Sequence, residues 1–441
     1  MIYRIIKAIL KLALRIFFKK IVVTGKELLP NKGPLIIAVN HPNTLMDPLI
    51  IATLTQQRVG FIGNAGLFSN KLFATILRYF HVIPIYRKKD IAPDERSDNT
   101  ASFAACHAYL DKKGTILIFP EGTSHYELKL REIKTGTARI ALSYEALKNF
   151  DGNLKITPIS LDYSDSLQFR SMLSVHIEEP ILVNEYQKDE PQSVVALTEK
   201  IRKSLGARIP QTSDKDQESF LINAHRFYST FCEPKASLYV NPKESLVLRN
   251  TLSKSLVFLK NNNKERYLKI NDLINTFYNA LKNDGITAGF YSEEFRNKPQ
   301  LWVYLGYILT CIVILPIYIF GLMANYIPYI LPSKIFTLLK IDIEYKTSVA
   351  LVTGLILFPI TYGIEMFLFR YFVSKEILLD GLFLFLLPIS GYVAMYYWTN
   401  MKRFSRLLKF HFSISKERKT TLIQLRDEIL NEIKLAREVF V

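Results

Sequence analysis

Two short strings in this 441-residue chain carry residue types that can do chemistry. The first is His41-Pro42-Asn43-Thr44-Leu45-Met46-Asp47; the second is Phe119-Pro120-Glu121-Gly122-Thr123-Ser124. His41 follows the apolar run Leu35–Val39 and Asn40, so it stands just off the end of a predicted strand. A histidine held by a carboxylate is a general base. His41 would take the proton of an attacking hydroxyl, while Asp47 would orient the ring and stabilise the imidazolium. The nucleophile is then the substrate's own oxygen, and no serine or cysteine intermediate is required. A plainer reading uses the same residues, because an Asp before a Pro is also a helix N-cap with proline in the first turn. In the second string Gly122 allows close backbone approach to a ligand, and Glu121 can accept a hydrogen bond from a hydroxyl.

Two more stretches belong with these. Val82-Ile83-Pro84-Ile85-Tyr86-Arg87 ends a strand on an arginine, whose planar guanidinium suits a phosphate. Ile156-Thr157-Pro158-Ile159 is apolar and turns at proline, as the wall of a site for an apolar chain would. Each also has a bland reading: a solvated charge, a turn carboxylate, an edge-strand proline.

The elements that must position these residues alternate along 35–180. Strands are predicted at Leu35–Val39, Val59–Gly63, Val82–Tyr86, Thr115–Phe119, Ile156–Asp162 and Leu173–Ile177. Helices are predicted near Pro48–Thr55, Leu67–Phe80, Asn99–Asp111 and Thr137–Phe150. This alternation specifies an α/β fold, a mixed, mainly parallel sheet flanked by helices, with functional groups on loops at strand ends. From 186 to 300 the pattern becomes charged and helical, an insert to which the sequence assigns no chemistry.

Hydrophobic residues make up 49% of the chain and the net charge is +17. That balance favours an anionic partner. No zinc-finger, RNP or helix-turn-helix signature accompanies it, and the basic residues lie beside apolar sequence, so anionic membrane lipid is expected rather than nucleic acid. Cys106, Cys232 and Cys311 are far apart and include no CxxC, which implies neither a disulfide framework nor a metal site. Residues 1–24 read as a basic amphipathic helix in a membrane interface, with Arg4, Lys7, Lys11, Arg15 and Lys19 recurring every three or four residues. Three later runs, Leu301–Pro332, Thr347–Phe369 and Gly381–Met401, reach the roughly 20 residues needed to cross a bilayer. The N-terminal helix and the basic tail both favour the cytoplasmic side, which three crossings would separate. One segment that does not fully cross, or a further embedded one such as Ile335–Ile343, would resolve this.

The order His…Asp, Arg, Phe-Pro-Glu-Gly-Thr, then an apolar Pro strand resembles the glycerophospholipid acyltransferase family over about residues 20–185. The resemblance implies that His41 is the general base and Asp47 its partner. It further implies that Arg87, Glu121, Gly122 and Thr123 bind a glycerol-phosphate acceptor and that Pro158 belongs to the acyl-chain site. Ile133-Lys134-Thr135-Gly136 matches the family's basic Lys-x-Gly segment, which makes Lys134 a second phosphate ligand. Two departures stand out. Five residues separate His41 from Asp47 where the common motif has four, a spacing similar to the fungal glycerol-3-phosphate/dihydroxyacetone-phosphate branch, which also carries membrane segments after the enzyme domain. His81 stands where many members have glycine.

The expected layout is an amphipathic helix (1–24), an acyltransferase domain (25–185), a helical insert (186–300), a transmembrane region (301–401) and a basic helical tail (402–441). The expected activity is transfer of a fatty acyl group from acyl-CoA or acyl-ACP to glycerol-3-phosphate or dihydroxyacetone phosphate. The enzyme would be multi-pass, with its catalytic domain facing the cytoplasm. No metal or bound cofactor is implied. The alternatives are a lysophosphatidic acid acyltransferase, a non-catalytic lipid-binding membrane protein and, on the apolar segments alone, a transporter.

Overall fold

The structure, a computed structural model, describes residues 2–86, 99–187, 190–234, 242–292 and 300–438. They fall into two compact units, Met1–Gln211 with Asp342–Ser348, and Thr212–Ile341 with Val349–Val441.

The first unit is built on one sheet. Its strands are β1 (Lys20–Thr24), β2 (Leu35–Val39), β3 (Val59–Asn64), β4 (Val82–Ile85), β5 (Thr115–Ile118), β6 (Lys155–Tyr163), β7 (Met172–Ile177) and β8 (Ile181–Leu182). Their order is β1-β7-β6-β2-β5-β3-β4, with β8 also on β6. β1 with β7, β2 with β5 and β6, and β3 with β4 and β5 run parallel; β6 runs antiparallel to β7 and β8. The sheet is thus mixed and mainly parallel. β2 lies at its centre and is buried on both faces, which is why Leu-Ile-Ile-Ala-Val reads as an unbroken apolar run. Helices α1 (Ile2–Phe17), α2 (Met46–Leu54), α3 (Lys71–Tyr79), α4 (Thr100–Asp111), α5 (Gly136–Leu147) and α6 (Glu190–Gly206) complete the unit.

One face of the sheet packs Ile36, Ile116 and Ile156 against residues of α4, α5 and α6. α6 comes from the charged region after 186, and it enters this core through Val194, Leu197, Ile201 and Leu205, one stripe at helical spacing. α1 buries Leu14 and Phe17 but leaves Ile2, Ile5, Ile9, Leu12 and Ile16 exposed. Lys7 is drawn into a hydrogen bond to the carbonyl of Thr55, and burial lowers its pKa. His81 adopts φ 56°, the left-handed region that glycine enters without strain.

In the second unit the helices Lys215–Phe231, Pro242–Asn262, Lys264–Asp284 and Lys416–Glu438 share one core, centred on Phe220, Phe227, Ile274, Phe277, Leu422 and Ile429. Three helices among the described residues are long and apolar enough to cross a membrane, within Tyr304–Leu339, Ile343–Phe372 and Ile377–Ser413. The first belongs to a helix of 40 residues, Gln300–Leu339. At ~1.5 Å per residue it is about 60 Å long, roughly twice the hydrocarbon thickness of a bilayer. It therefore absorbs part of the 335–343 stretch that sequence reading set apart. Asn325 sits among these helices, donating to the carbonyls of Gly321 and Leu387 and accepting from the Tyr362 hydroxyl.

Candidate active site

The C-terminal ends of β2 and β5 lie side by side in the parallel part of the sheet, and the two strings leave the sheet there. Asn40 fixes the departure of the first. Its side chain donates to the carbonyl of Leu161 at 2.9 Å and accepts from the Leu161 N–H at 2.7 Å, extending the β2–β6 pairing through a side chain. His41 then meets Asp47, with Nδ1 2.9 Å from Oδ2. Nδ1–H facing the carboxylate leaves Nε2 as the basic atom of the ring. The imidazole stacks on Phe119, ring centroids 3.8 Å apart and planes 12° from parallel.

Asp47 is fully buried in the first turn of α2. Its carboxylate does not cap that helix. Oδ2 accepts the backbone N–H of Asn43 at 2.7 Å as well as His41, and Oδ1 accepts the hydroxyl of Tyr163 at 2.5 Å. A buried anion with three donors is satisfied as buried charge must be. Tyr163 is itself buried, and desolvation followed by the Asp47 charge pushes its phenol well above the usual range, so it stays a donor.

The second string closes over the first. Glu121 is buried, and its two oxygens accept the backbone N–H groups of His41 (2.8 Å) and Arg131 (3.0 Å). Burial raises its pKa; the two N–H groups and the His41 charge oppose the rise. The backbone N–H of Thr44 donates to the Ser124 hydroxyl at 2.9 Å, and that of His125 to the His41 carbonyl at 3.1 Å. Thr123 Oγ1 lies 2.8 Å from His125 Nε2. Gly122 has φ 74°, and a Cβ there would come within 3.0 Å of Lys134 Nζ, so the lysine lies across the glycine. The N–H of Lys134 donates to the Pro120 carbonyl at 2.9 Å. Among the described residues no carboxylate pairs with the Lys134 ammonium, which is exposed.

The structure therefore brings together His41, Asp47, Glu121, Gly122, Thr123 and Lys134. Pro158 is buried in the sheet opposite Ala38. It occupies the gap on β6 between the pairing with β7, which stops at Ile159, and that with β8, which stops at Ile156. The missing N–H falls where no ladder bond is required. Arg87 lies outside the described residues. Sequence reasoning missed Tyr163 and the role of Asn43; the latter sits inside the first string, whereas Tyr163 is one residue beyond the predicted end of its strand. His107 and His176 lie elsewhere, paired with Ser143 and Thr24.

This geometry is a histidine held by a buried carboxylate, beside a backbone turn crossed by the Lys134 side chain. Residues 20–162 match the family described as Acyltransferase, and this part of the chain is an acyltransferase domain. Glycerol-3-phosphate O-acyltransferase 2 of Saccharomyces cerevisiae is 36% identical over 141 residues, covering 30% of this chain and 19% of that protein. Glycerol-3-phosphate O-acyltransferase 1 of the same yeast is 30% identical over 148 residues, covering 32% of this chain and 19% of that one. The 1-acyl-sn-glycerol-3-phosphate acyltransferase of Borreliella burgdorferi is 28% identical over 199 residues, 43% of this chain and 74% of that protein. The chain thus spans about a fifth of the length of the two yeast relatives.

Proposed function

We propose that this chain is a membrane-bound O-acyltransferase that esterifies a glycerol-phosphate acceptor from a fatty acyl thioester, acyl-CoA or acyl-ACP. The observation that carries the reading is the 2.9 Å pair of His41 with a buried Asp47, inside the acyltransferase domain. In the reaction His41 Nε2 takes the acceptor's hydroxyl proton as that oxygen attacks the thioester carbonyl. The tetrahedral intermediate collapses, the C–S bond breaks as the C–O ester bond is kept, and the proton passes from His41 to the leaving thiolate. Asp47 stabilises the imidazolium between the two transfers. Lys134, lying across Gly122, is the cation for the acceptor phosphate, with Arg87 as a second. Thr123 offers its hydroxyl to the same ligand. Glu121, besides holding His41 and Arg131, keeps carboxylate lone pairs for an acceptor hydroxyl. Pro158 lines the acyl-chain side.

The favoured acceptors are glycerol-3-phosphate and dihydroxyacetone phosphate, in keeping with the names of the two yeast relatives. A second reading, acylation of 1-acyl-glycerol-3-phosphate, is favoured by the Borreliella relative, of which the chain covers 74%. The exposed row Ile2, Ile5, Ile9, Leu12 and Ile16 on α1 suits insertion into an anionic lipid surface. With the basic tail it favours a domain facing the cytoplasm. The test is the full chain in detergent or vesicles, offered each acceptor separately with acyl-CoA or acyl-ACP. Acylation that disappears in His41→Ala supports the proposal. Wild-type turnover in His41→Ala, or lipid binding without acyl transfer to any acceptor, overturns it.

A further inference from the structure

One group of buried polar side chains beside the site is not used by the reaction as written. The short turn Ile343–Tyr345 and the first residues of the helix Lys346–Phe372 belong to the same compact unit as the sheet. They meet the residues that follow His41. The Thr347 hydroxyl lies 2.9 Å from Asn43 Oδ1 and 3.0 Å from the Ser166 carbonyl. Asn43 Nδ2 donates to that same carbonyl at 2.9 Å. Thr44 Oγ1 lies 3.1 Å from the Glu344 carbonyl and 2.8 Å from Ser348 Oγ. Asn43, Thr44, Ser166, Thr347 and Ser348 are all buried. Three hundred residues of sequence separate the two halves of this network.

Its consequence runs through Asn43. The side chain of Asn43 is held by Thr347 and Ser166, and its backbone N–H is held by Asp47 Oδ2, the oxygen that also receives His41 Nδ1. Moving Asn43 moves the oxygen that orients the base. A displacement well under 1 Å at such a site is enough to cost rate. We infer that Thr347 is a positioning residue for the His41–Asp47 pair, so that the turn joining two apolar helices sets the geometry of proton transfer. This rests on the acyl-transfer reading above.

The test uses the full-length protein and reads kcat and KM separately. Thr347→Val keeps the shape and removes the hydroxyl; Thr347→Ser keeps the hydroxyl. The expected result for Thr347→Val is a kcat about tenfold lower, with KM for donor and acceptor within about twofold and a lowered unfolding midpoint in detergent, because the buried Asn43 Oδ1 loses its donor. Thr347→Ser is expected near wild type. In an Asp47→Asn background Thr347→Val is expected to have little further effect, because it acts through that carboxylate. If Thr347→Val is not recovered folded, Thr347→Ala is read in its place. A kcat within twofold of wild type overturns the inference. So does an equal loss in Thr347→Ser, or a loss that multiplies in full with that of Asp47→Asn. His41→Ala separates this failure from failure of the proposed function: an inactive His41→Ala with an unaffected Thr347→Val removes only the positioning role.

Discussion

Replacing Asp47 by Asn removes one charge while keeping an acceptor for the two N–H groups that meet Oδ2. In wild type, Oδ2 accepts from Asn43 N–H and His41 Nδ1–H, and Oδ1 accepts from Tyr163. An Asn side chain can place its oxygen where Oδ2 stands and its amide nitrogen toward Tyr163. The Tyr163 hydroxyl then turns from donor to acceptor, as a phenol can. The second amide hydrogen and the Tyr163 hydroxyl proton are then left without an acceptor in this cluster, so stability should fall by about 1–3 kcal/mol. What is lost is the anion beside the imidazolium. Two unit charges about 4 Å apart interact by about 4 kcal/mol at an effective dielectric constant of 20. Each ~1.4 kcal/mol is tenfold in rate, which sets a ceiling of about three decades. The amide oxygen retains the ring orientation and part of the dipolar stabilisation, so the expected fall in kcat is ~10²- to 10³-fold. The assay is initial-rate acylation at saturating donor and acceptor, with thermal unfolding of the same preparation. Asp47→Asn within about threefold of wild type, beside an inactive His41→Ala, would refute the role given to the charge. An unfolded Asp47→Asn would refute the hydrogen-bond accounting.

Tyr163→Phe deletes only the donor to Asp47 Oδ1 and strands a buried carboxylate oxygen. It should lower stability by about 1.5–3 kcal/mol and cut kcat less than Asp47→Asn does, measured by thermal unfolding and initial rates. Glu121→Gln tests a pH effect whose sign follows from burial. The Glu121 carboxyl is raised in the folded chain by desolvation, so the folded state keeps a proton the unfolded chain has already released. That contribution is fully present below the unfolded value and is lost as pH rises through the folded one. The stability of wild type relative to Glu121→Gln should therefore decline with rising pH across the acid range and then level off. A pH-independent difference between their unfolding midpoints would contradict it.

How much of this could be read from the chain depended on how local each signal was. β2, β5 and β6 announce themselves as apolar runs, and the residues just past two of them were read as functional because chemistry-bearing types sit at strand ends. β1 escaped because Phe17-Phe18-Lys19-Lys20 carries the pattern of α1 into the strand with no turn residue between. β8 is only two residues long and carries no period. Tyr163 was invisible for a different reason. Its partner is 116 residues away, and nothing in the order of residues marks a phenol that will donate to a buried carboxylate. Thr347 and Ser348 looked like the first residues of an apolar run, and their hydroxyls point to residues near position 43. Glu121 was read as a group for the acceptor, and the order of residues gave no sign that its two oxygens hold backbone N–H groups.

The spacing between His41 and Asp47 shows what the long-range contacts add. Five intervening residues form a loop whose amides need partners, since buried N–H groups left unpaired are costly. Each has one. His41 N–H goes to Glu121, Asn43 N–H to Asp47 and Thr44 N–H to Ser124; Pro42 has none to donate. One of these acceptors is the carboxylate that orients the base, and the other two come from the second string. The Phe-Pro-Glu-Gly-Thr-Ser turn acts on His41 through the backbone, by Glu121 accepting the His41 N–H and His125 N–H donating to the His41 carbonyl. Two strings that sequence reading treated as separate contributors, one for the base and one for the acceptor, are a single construction. A change in either should be felt at the histidine.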